Sequence, residues 1–299
     1  MSITKIEWAD RVWNPVTGCT KISPGCAHCY AEKFAKRLQN NPKAWPKYLN
    51  GFAPTMHHNE LRLPISWQRP SRIFVCSMAD LFHEDIPFEF IDKVMATIAH
   101  CFWHTFLVLT KRPIRMLEYF TQAKVNSFMY VARAGQGVSQ DDNRMNVRLA
   151  CLSGIDIEGR AWPLNNLWLG VSAENQQTFD SRVSSLLTIP AVIRFVSLEP
   201  LLEEIDIYHQ IRYGEWDRNQ SNDHTQKLHW VIAGGETGSG ARPVNSDWVK
   251  CLRYQCHSAN IPFFFKHWGG HKSNGRLLNG KEYLQFPKIN QLCEALPIT

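Results

Sequence analysis

Cys19-Thr20-Lys21-Ile22-Ser23-Pro24-Gly25-Cys26-Ala27-His28-Cys29-Tyr30 places three thiols within eleven residues, directly after the strand-like run Val12-Trp13-Asn14-Pro15-Val16. Pro24 and Gly25 set a turn just before Cys26, which folds Cys19 back toward Cys26 and Cys29 and lets three sulfurs face one centre. From Ala27 to Leu38 the chain is rich in Ala, Glu, Lys, Arg and Leu and predicts a helix. The thiols then lie close to a helix N-terminus, whose partial positive charge favours anionic sulfur. Three cysteines are one short of a closed four-ligand zinc or iron–sulfur site, so the fourth position falls to another side chain or to an exogenous ligand. A zinc site completed by His28 or a distant histidine, and simple buried structural thiols, are the other readings of these residues.

The whole chain of 299 residues is 44% hydrophobic and 20% charged, which sets aside disordered, collagen-like and coiled-coil classes. A formal charge of +6 permits a nucleic-acid partner and is too mild to require one. Nine cysteines is an odd count, no cleavable signal pattern follows Met1, and no apolar run approaches the roughly 20 residues of a membrane span. A cytoplasmic protein with reduced thiols and no membrane partner is the expectation. Cys76, Cys101, Cys151, Cys251, Cys256 and Cys293 are scattered and read as small packing residues.

Outward from the thiol loop, seven strand-like runs alternate with helices. The strands fall at Ile6 to Val16, Arg72 to Ser77, Phe106 to Pro113, Leu167 to Ser172, Val192 to Pro200, Trp230 to Ala233 and Pro262 to Gly269. Helical spacing marks Pro87 to His104, Gln176 to Leu187 and Trp248 to Ala259. This order predicts a single-domain α/β fold, a parallel TIM-type βα barrel, complete or partial, with its ligand site at the strands' C-terminal rim. Asn40 to Pro70 reads as a long connection, in which His57-His58 belongs to a surface loop or a lid rather than to a metal. Residues at about 121–165 and 209–228 break the rhythm and read as insertions, the first carrying Arg133, Arg144, Arg148 and Arg160. Leu277 to Lys281 carries a turn signal, and the aromatic tail after it closes one barrel end.

Polar residues past the strand ends are the site candidates. Ser77 and Asp80 leave the second strand, with a helix N-cap as the competing role for Asp80. Lys111 and Arg112 end the third strand; they suit a carboxylate or phosphate, or merely flank a helix start fixed by Pro113. Ser172, Glu174 and Glu199 face one rim, with a cap or an ion pair as the plainer account. The stretch Gly234-Gly235-Glu236-Thr237-Gly238-Ser239-Gly240-Ala241-Arg242 brings backbone amides close to a cofactor or phosphate, although its glycine spacing is wrong for a dinucleotide fingerprint. Lys266 emerges from an apolar run and pairs with Glu236 or Glu199, or binds an anionic substrate. Lys111, Arg112, Glu236, Arg242 and Lys266 are thus the candidates for substrate contact.

The order strand, three-cysteine loop, helix resembles the radical SAM enzymes, although the first gap is six residues here and wider than theirs. Trp13-Asn14-Pro15-Val16-Thr17-Gly18-Cys19, Leu109-Thr110-Lys111-Arg112-Pro113, Ser197-Leu198-Glu199-Pro200-Leu201 and Gly234-Gly235-Glu236 look like the phage Gp37/Gp68 family, an uncharacterised group placed with radical SAM proteins. The likeness runs from about Ile6 to Pro287. It implies a radical SAM-like barrel with a [4Fe-4S] cluster on Cys19, Cys26 and Cys29 and one iron open to the amino and carboxylate groups of S-adenosyl-L-methionine. It also implies an external electron donor and reductive cleavage of that cofactor to a carbon radical that takes a substrate hydrogen. Cofactor contacts carried over by position are Tyr30, near the adenine, with Ser77, Asp80, Ser172, Glu174 and Glu199. The Gly-Gly-Glu of radical SAM proteins lies on an early strand and here on a late one, so its role is not carried over. Phage-family kinship, the basic balance and the Arg-bearing insertions make a nucleic acid or nucleotide the leading substrate class. The alternatives are a zinc-stabilised barrel that grips nucleic acid without catalysis, and a hydrolase cradling phosphate on Gly234 to Gly240.

Overall fold

The computed structural model describes residues 4, 6–41, 45–125, 163–208, 227–271 and 274–288. Most of both expected insertions, with Arg133, Cys151, Arg144, Arg148 and Arg160, lies outside these residues, as does Cys293.

Short runs of Val, Ile, Leu, Phe and Trp buried on both faces form a sheet of seven strands: β1 (Arg11–Trp13), β4 (Arg72–Val75), β5 (Thr105–Thr110), β6 (Leu167–Ser172), β7 (Ile193–Leu198), β8 (Trp230–Ala233) and β9 (Phe263–Phe265). All six pairings are parallel, and the order across the sheet is the order along the chain. The winding therefore never reverses. No switch-point crevice arises, and the C-terminal ends of the strands remain as the place for a ligand.

Which face the helices cover decides between a doubly wound sheet and a barrel. Helices α2 (Phe88–His100), α3 (Pro113–Val125), α4 (Gln176–Leu187) and α5 (Ser246–Ser258) send Phe90, Ile91, Val94, Met116, Tyr119, Phe179, Val183, Val249 and Leu252 into one core with Ile73, Val75, Val108, Leu169, Val196 and Val231 of the strands. The opposite strand residues, Phe74, Leu107, Trp168, Ile193, Phe195, Trp230, Ile232 and Phe264, form a second core with Trp8 that, among the described residues, contains none from a helix. Helices on one face and an aromatic filling on the other make this a curled, partial barrel, with β1 and β9 as its unjoined ends.

The edge of β9 is covered rather than left open. Phe265 N donates to Tyr283 O at 2.7 Å and Gln285 N to Phe263 O at 3.2 Å. Phe286 then packs against Trp230 at a tilt (5.1 Å) and edge-on to Phe264 (5.3 Å), and the Arg72 guanidinium sits over its ring at 4.3 Å. Arg72 and Trp230 begin their strands, so the aromatic tail closes the end opposite the rim.

Several elements are shorter than the sequence reading, among them β5, which ends at Thr110 before Lys111 and Arg112, and β9, which ends at Phe265; two further differences have a local cause. β1 is shorter than the run Ile6 to Val16 because Asn14-Pro15 takes the chain out of the sheet, and Val16–Thr17 (β2) pairs with Thr55–Met56 (β3) instead. Helix α1 (Tyr30–Gln39) starts three residues later than Ala27, because Pro24–Cys26 is a tight 3₁₀ turn and Cys29, at φ −51° and ψ 118°, is a non-helical cap. By contrast α4 begins where the sequence puts it. Asn175 and Thr178 exchange a capping box, with Thr178 N donating to Asn175 Oδ1 at 2.9 Å and Asn175 N to Thr178 Oγ1 at 3.2 Å. Among the described residues no helix is long and apolar enough to cross a membrane.

Candidate functional site

Strand alternation builds the site. On the concave face Leu107, Trp168, Phe195, Trp230 and Phe264 are buried in the aromatic core; steps of two residues carry Ser172 and Ser197 up the same rows, and Lys111, Glu174, Glu199, Gly234, Glu236 and Lys266 follow just past the strand ends at the C-terminal rim. Gly170 leaves room beneath them that the Phe195 ring fills; a Cβ there would stand 2.5 to 2.6 Å from three of its atoms. The concave face thus has an apolar floor and a polar, charged rim.

The thiol loop lies across that rim. Gly18, at φ +85°, takes a left-handed turn where a Cβ would fall on Ala53 O, and its N–H donates to Met78 O at 2.9 Å. Gly25 N donates to Glu174 Oε1 at 3.3 Å, Lys111 Nζ to Cys26 Sγ at 3.7 Å, and Arg112 to Cys19 Sγ at 3.5 Å. Arg242 donates to Pro24 O at 3.0 Å, and Lys33 Nζ to Ser239 O at 3.2 Å. One loop is therefore tied to β5, to the end of β6 and to the turn after β8. Gly25 allows a close approach, since a Cβ would sit 2.8 Å from Lys111 Nζ and 3.0 Å from Glu174 Oε2, and those side chains would have to shift.

Each thiol has a different surrounding. Burial pushes the Cys26 thiol up, but Lys111 and the hydrogen bonds from Ile22 and Ser23 outweigh it and leave Cys26 below the ordinary thiol range. Cys19 is pushed up to about 11 by burial and by Asp80, against the pull of Arg112. Cys29 is the N-cap residue of α1.

The carboxylates of the rim are paired. Glu174 is fully buried, with Arg182 at 3.1 Å and Lys111 at 3.7 Å from Oε2; burial raises its pKa, and Lys111, Ser23, Arg182 and the Gly25 N–H bring it below the usual carboxylate value. Glu199 accepts from Lys266 Nζ at 2.6 Å, with His267 Nε2 at 3.6 Å, so of the pairings open to Lys266 the structure forms this one. Glu236 takes Arg242 through Nε (2.9 Å), the second guanidinium nitrogen (2.6 Å) and the backbone N–H (2.9 Å). Asp80 is enclosed by four donors: Thr110 Oγ1 at 2.6 Å, the N–H groups of Phe82 and Lys111 at 3.0 Å, and Arg112 at 3.2 Å. Its Phe82 contact is a local turn bond, and no helix starts there. Tyr30 OH donates to Ser77 O, and Ser77 Oγ to Asn14 Oδ1 at 3.2 Å, which ties α1 to the ends of β1 and β4. Ser172 is buried, and its carbonyl accepts from Arg182 at 2.6 Å. His57 is likewise buried, with Nε2 2.8 Å from Thr17 Oγ1.

Several residues at the site are not singled out by sequence reasoning: Thr20, His83, Glu84, Arg182 and His267. Arg182 carries a readable signal. It shares the core-facing stripe of α4 with Phe179, Val183 and Leu186, and a cation on such a stripe demands a buried anion. The others have no signal of this kind, because their partners are distant in sequence.

The donor set discriminates between groups it might hold. A tetrahedral zinc with sulfurs about 2.3 Å away needs its donors close together, and among the described residues no three His, Cys, Asp or Glu side chains are near enough to share one metal ion. A polynuclear cluster spreads its thiolates over separate irons of one compact group, so its sulfurs stand further apart than those around a single tetrahedral ion. Three thiols from one loop, two of them accepting from cations, are the donor type that kind of group takes.

Among solved structures, spore photoproduct lyase complexed with dinucleoside spore photoproduct aligns with a TM-score of 0.41 and 9% identity, over 85% of this chain and 62% of that one. A mutant of that lyase with bound AdoMet and dinucleoside spore photoproduct aligns at 0.39 and 10%, and a further mutant at 0.40 and 10%, over the same shares. The chain thus spans 62% of the length of these structures. No curated protein matches the sequence, and neither the Gp37/Gp68 name nor a phage source is carried by these comparisons. The model of DUF5131, described as a protein of unknown function, matches residues 3–287, and the chain belongs to that family.

Proposed function

We propose that this protein is a radical SAM-type enzyme, a single barrel domain that holds a [4Fe-4S] cluster on Cys19, Cys26 and Cys29 and modifies a nucleic acid or nucleotide. The observation that carries the reading is the seat of the thiol loop: it crosses the C-terminal rim of a parallel sheet wound in one direction, with Lys111 and Arg112 at two of its sulfurs. When bound, the cluster and S-adenosyl-L-methionine supply the one-electron chemistry and the hydrogen-abstracting radical. The chain supplies placement. Glu199 offers a carboxylate to the cofactor's amino group and Ser172 lies on a row that leads to it, while the buried Glu174 seats the thiol loop through Gly25 and Ser77 ties α1 to the ends of β1 and β4. Tyr30, half exposed beside Cys29, is the wall for the adenine. Asp80 acts one step back, holding Lys111 and Arg112 in position. Glu236, Arg242 and Lys266 are left for the substrate, on the β8 and β9 side of the rim. The aromatic floor keeps water out from below. An external electron donor is the proposed partner and the cytoplasm, where thiols stay reduced, the proposed setting.

The test is anaerobic reconstitution with iron and sulfide, followed by S-adenosyl-L-methionine, dithionite and oligonucleotides. Several irons per chain, a brown colour and release of 5′-deoxyadenosine are expected, and all three should vanish when Cys19, Cys26 and Cys29 are replaced by Ala. One zinc, no colour and tight oligonucleotide binding would support the zinc-stabilised module instead.

A further inference from the structure

We infer that Arg112 is a positioning residue that sets the reduction potential of the group held by the three thiols, and that Glu84 is the counter-charge that moderates it. This rests on the iron–sulfur reading above and moves Arg112 from substrate contact to the thiol loop. The geometry is specific. A guanidinium has five N–H groups, and the Arg112 side chain, 4% exposed, has an acceptor for each: Glu84 Oε2 on Nε at 2.7 Å, Asp80 Oδ2 at 3.2 Å and Cys19 Sγ at 3.5 Å on one terminal nitrogen, and Thr20 Oγ1 at 2.8 Å and Thr20 O at 3.3 Å on the other. Thr20 is held in turn. His83 Nδ1 accepts from Asp85 N at 3.1 Å, so Nε2 carries the proton and donates to Thr20 Oγ1 at 2.8 Å. The side chain therefore cannot swing away from Cys19 without losing four other bonds.

Such a contact acts on the more negative of two redox states. One electron entering the cluster adds negative charge that spreads onto the thiolate sulfurs, and a cationic N–H donor at Cys19 stabilises that state more than the oxidised one. No bond forms or breaks. Two carboxylates oppose the effect, and they differ in a way that can be tested. Asp80 is buried in the framework, whereas the Glu84 side chain is 60% exposed. Removing the charge of Glu84 leaves Arg112 tied to Asp80, Thr20 and Cys19 with less of its own charge neutralised.

The measurement is the midpoint potential of the reconstituted protein, by mediated titration with dithionite as the one-electron reductant. Arg112→Met is expected to move the potential negative by about tenfold in the reduction equilibrium, about 59 mV for one electron. Glu84→Gln is expected to move it positive, by less, because water already screens that charge. A role confined to folding would not produce shifts of opposite sign. Shifts of the same sign, or none in either variant, overturn the inference. If Arg112→Met takes up no iron, Glu84→Gln decides alone, and an unmoved or more negative potential overturns it. A wild-type chain that takes up no iron overturns the cluster reading and this inference together; a loaded wild type with unmoved variants overturns only the inference.

Discussion

Replacing Arg182 by Met tests the buried centre that holds the thiol loop in place. The substitution keeps an unbranched apolar stem on α4 and deletes its bonds to Glu174 Oε2 (3.1 Å) and Ser172 O (2.6 Å). Glu174 is 0% exposed and the Arg182 side chain 8%, so water screens little of the pair, and a carboxylate stranded there costs about 3–5 kcal/mol. Lys111 Nζ remains at 3.7 Å and the Gly25 N–H at 3.3 Å, which places the loss at the lower end, about 3 kcal/mol. A chain of this size loses roughly 2–4 °C of Tm per kcal/mol, so the melting point should fall by roughly 6–12 °C. Thermal unfolding followed by circular dichroism reads it, with a urea midpoint as the check. The pair Glu174→Gln with Arg182→Met removes both charges and should recover more than half of the loss, because neither partner is then stranded. Lys111→Met, at a longer and 18% exposed contact, should cost about 1 kcal/mol. An Arg182→Met protein that melts with the wild type, or a double variant whose loss is the sum of the single losses, would refute the assignment.

Gly170→Ala should cost about 1–3 kcal/mol of stability, because Phe195 is wedged against Trp8 and Trp230 and has nowhere to retreat; adding Phe195→Leu should relieve the clash, and strict additivity in the cycle would deny the contact. Phe286→Ala should cost about 2 kcal/mol in a urea titration if the tail closes the barrel's lower end, and nothing measurable if the tail merely rests there. His229 gives a pH dependence. Its Nδ1 accepts the Arg194 N–H at 3.0 Å, and burial with Arg194 and Lys227 pushes its pKa from 6.5 down to about 3. Below pH 6.5 the unfolded chain binds a proton that the folded one refuses, so stability from this group is full above that pH and falls on acidification, by at most about 1.4 kcal/mol per unit, until about pH 3. Urea midpoints at pH 7.5 and at pH 5 should therefore lie closer together in His229→Asn than in the wild type; equal spacing would contradict it.

What the sequence discloses here follows from the range of the forces involved. Strands β6, β7 and β8 are apolar runs with turn residues at both ends, so period and punctuation locate them without any knowledge of their neighbours. The same holds for α4, whose Asn175 and Thr178 cap it locally. Asp80 shows where this stops. It lies past a strand end, as a ligand contact would, yet its oxygens are taken by Thr110, Phe82, Lys111 and Arg112, three of them thirty or more residues away. Glu174 and Lys266 were each legible as charged rim residues, but their partners Arg182 and Glu199 are settled only by the fold. The late start of α1 has a local cause, the Pro24–Cys26 turn, that composition alone does not weigh.

The turn at the end of β5 explains how two neighbouring cations reach the same loop. In a strand, Lys111 and Arg112 would point to opposite faces. The strand ends at Thr110, however, and α3 begins at Pro113, a position that proline favours because its missing N–H is unneeded there. Between them Asp80 draws in the Thr110 hydroxyl and the Lys111 N–H, and Arg112 N donates to Thr110 Oγ1 at 2.9 Å. That local bend breaks the alternation, so Lys111 reaches Cys26 while Arg112 reaches Cys19. Leu109-Thr110-Lys111-Arg112-Pro113 is thus a device for aiming two positive charges at two sulfurs, and a buried carboxylate from the neighbouring strand's loop fixes its shape. Substituting Asp80 should consequently disturb both thiol contacts at once, which no substitution of a single cation can do.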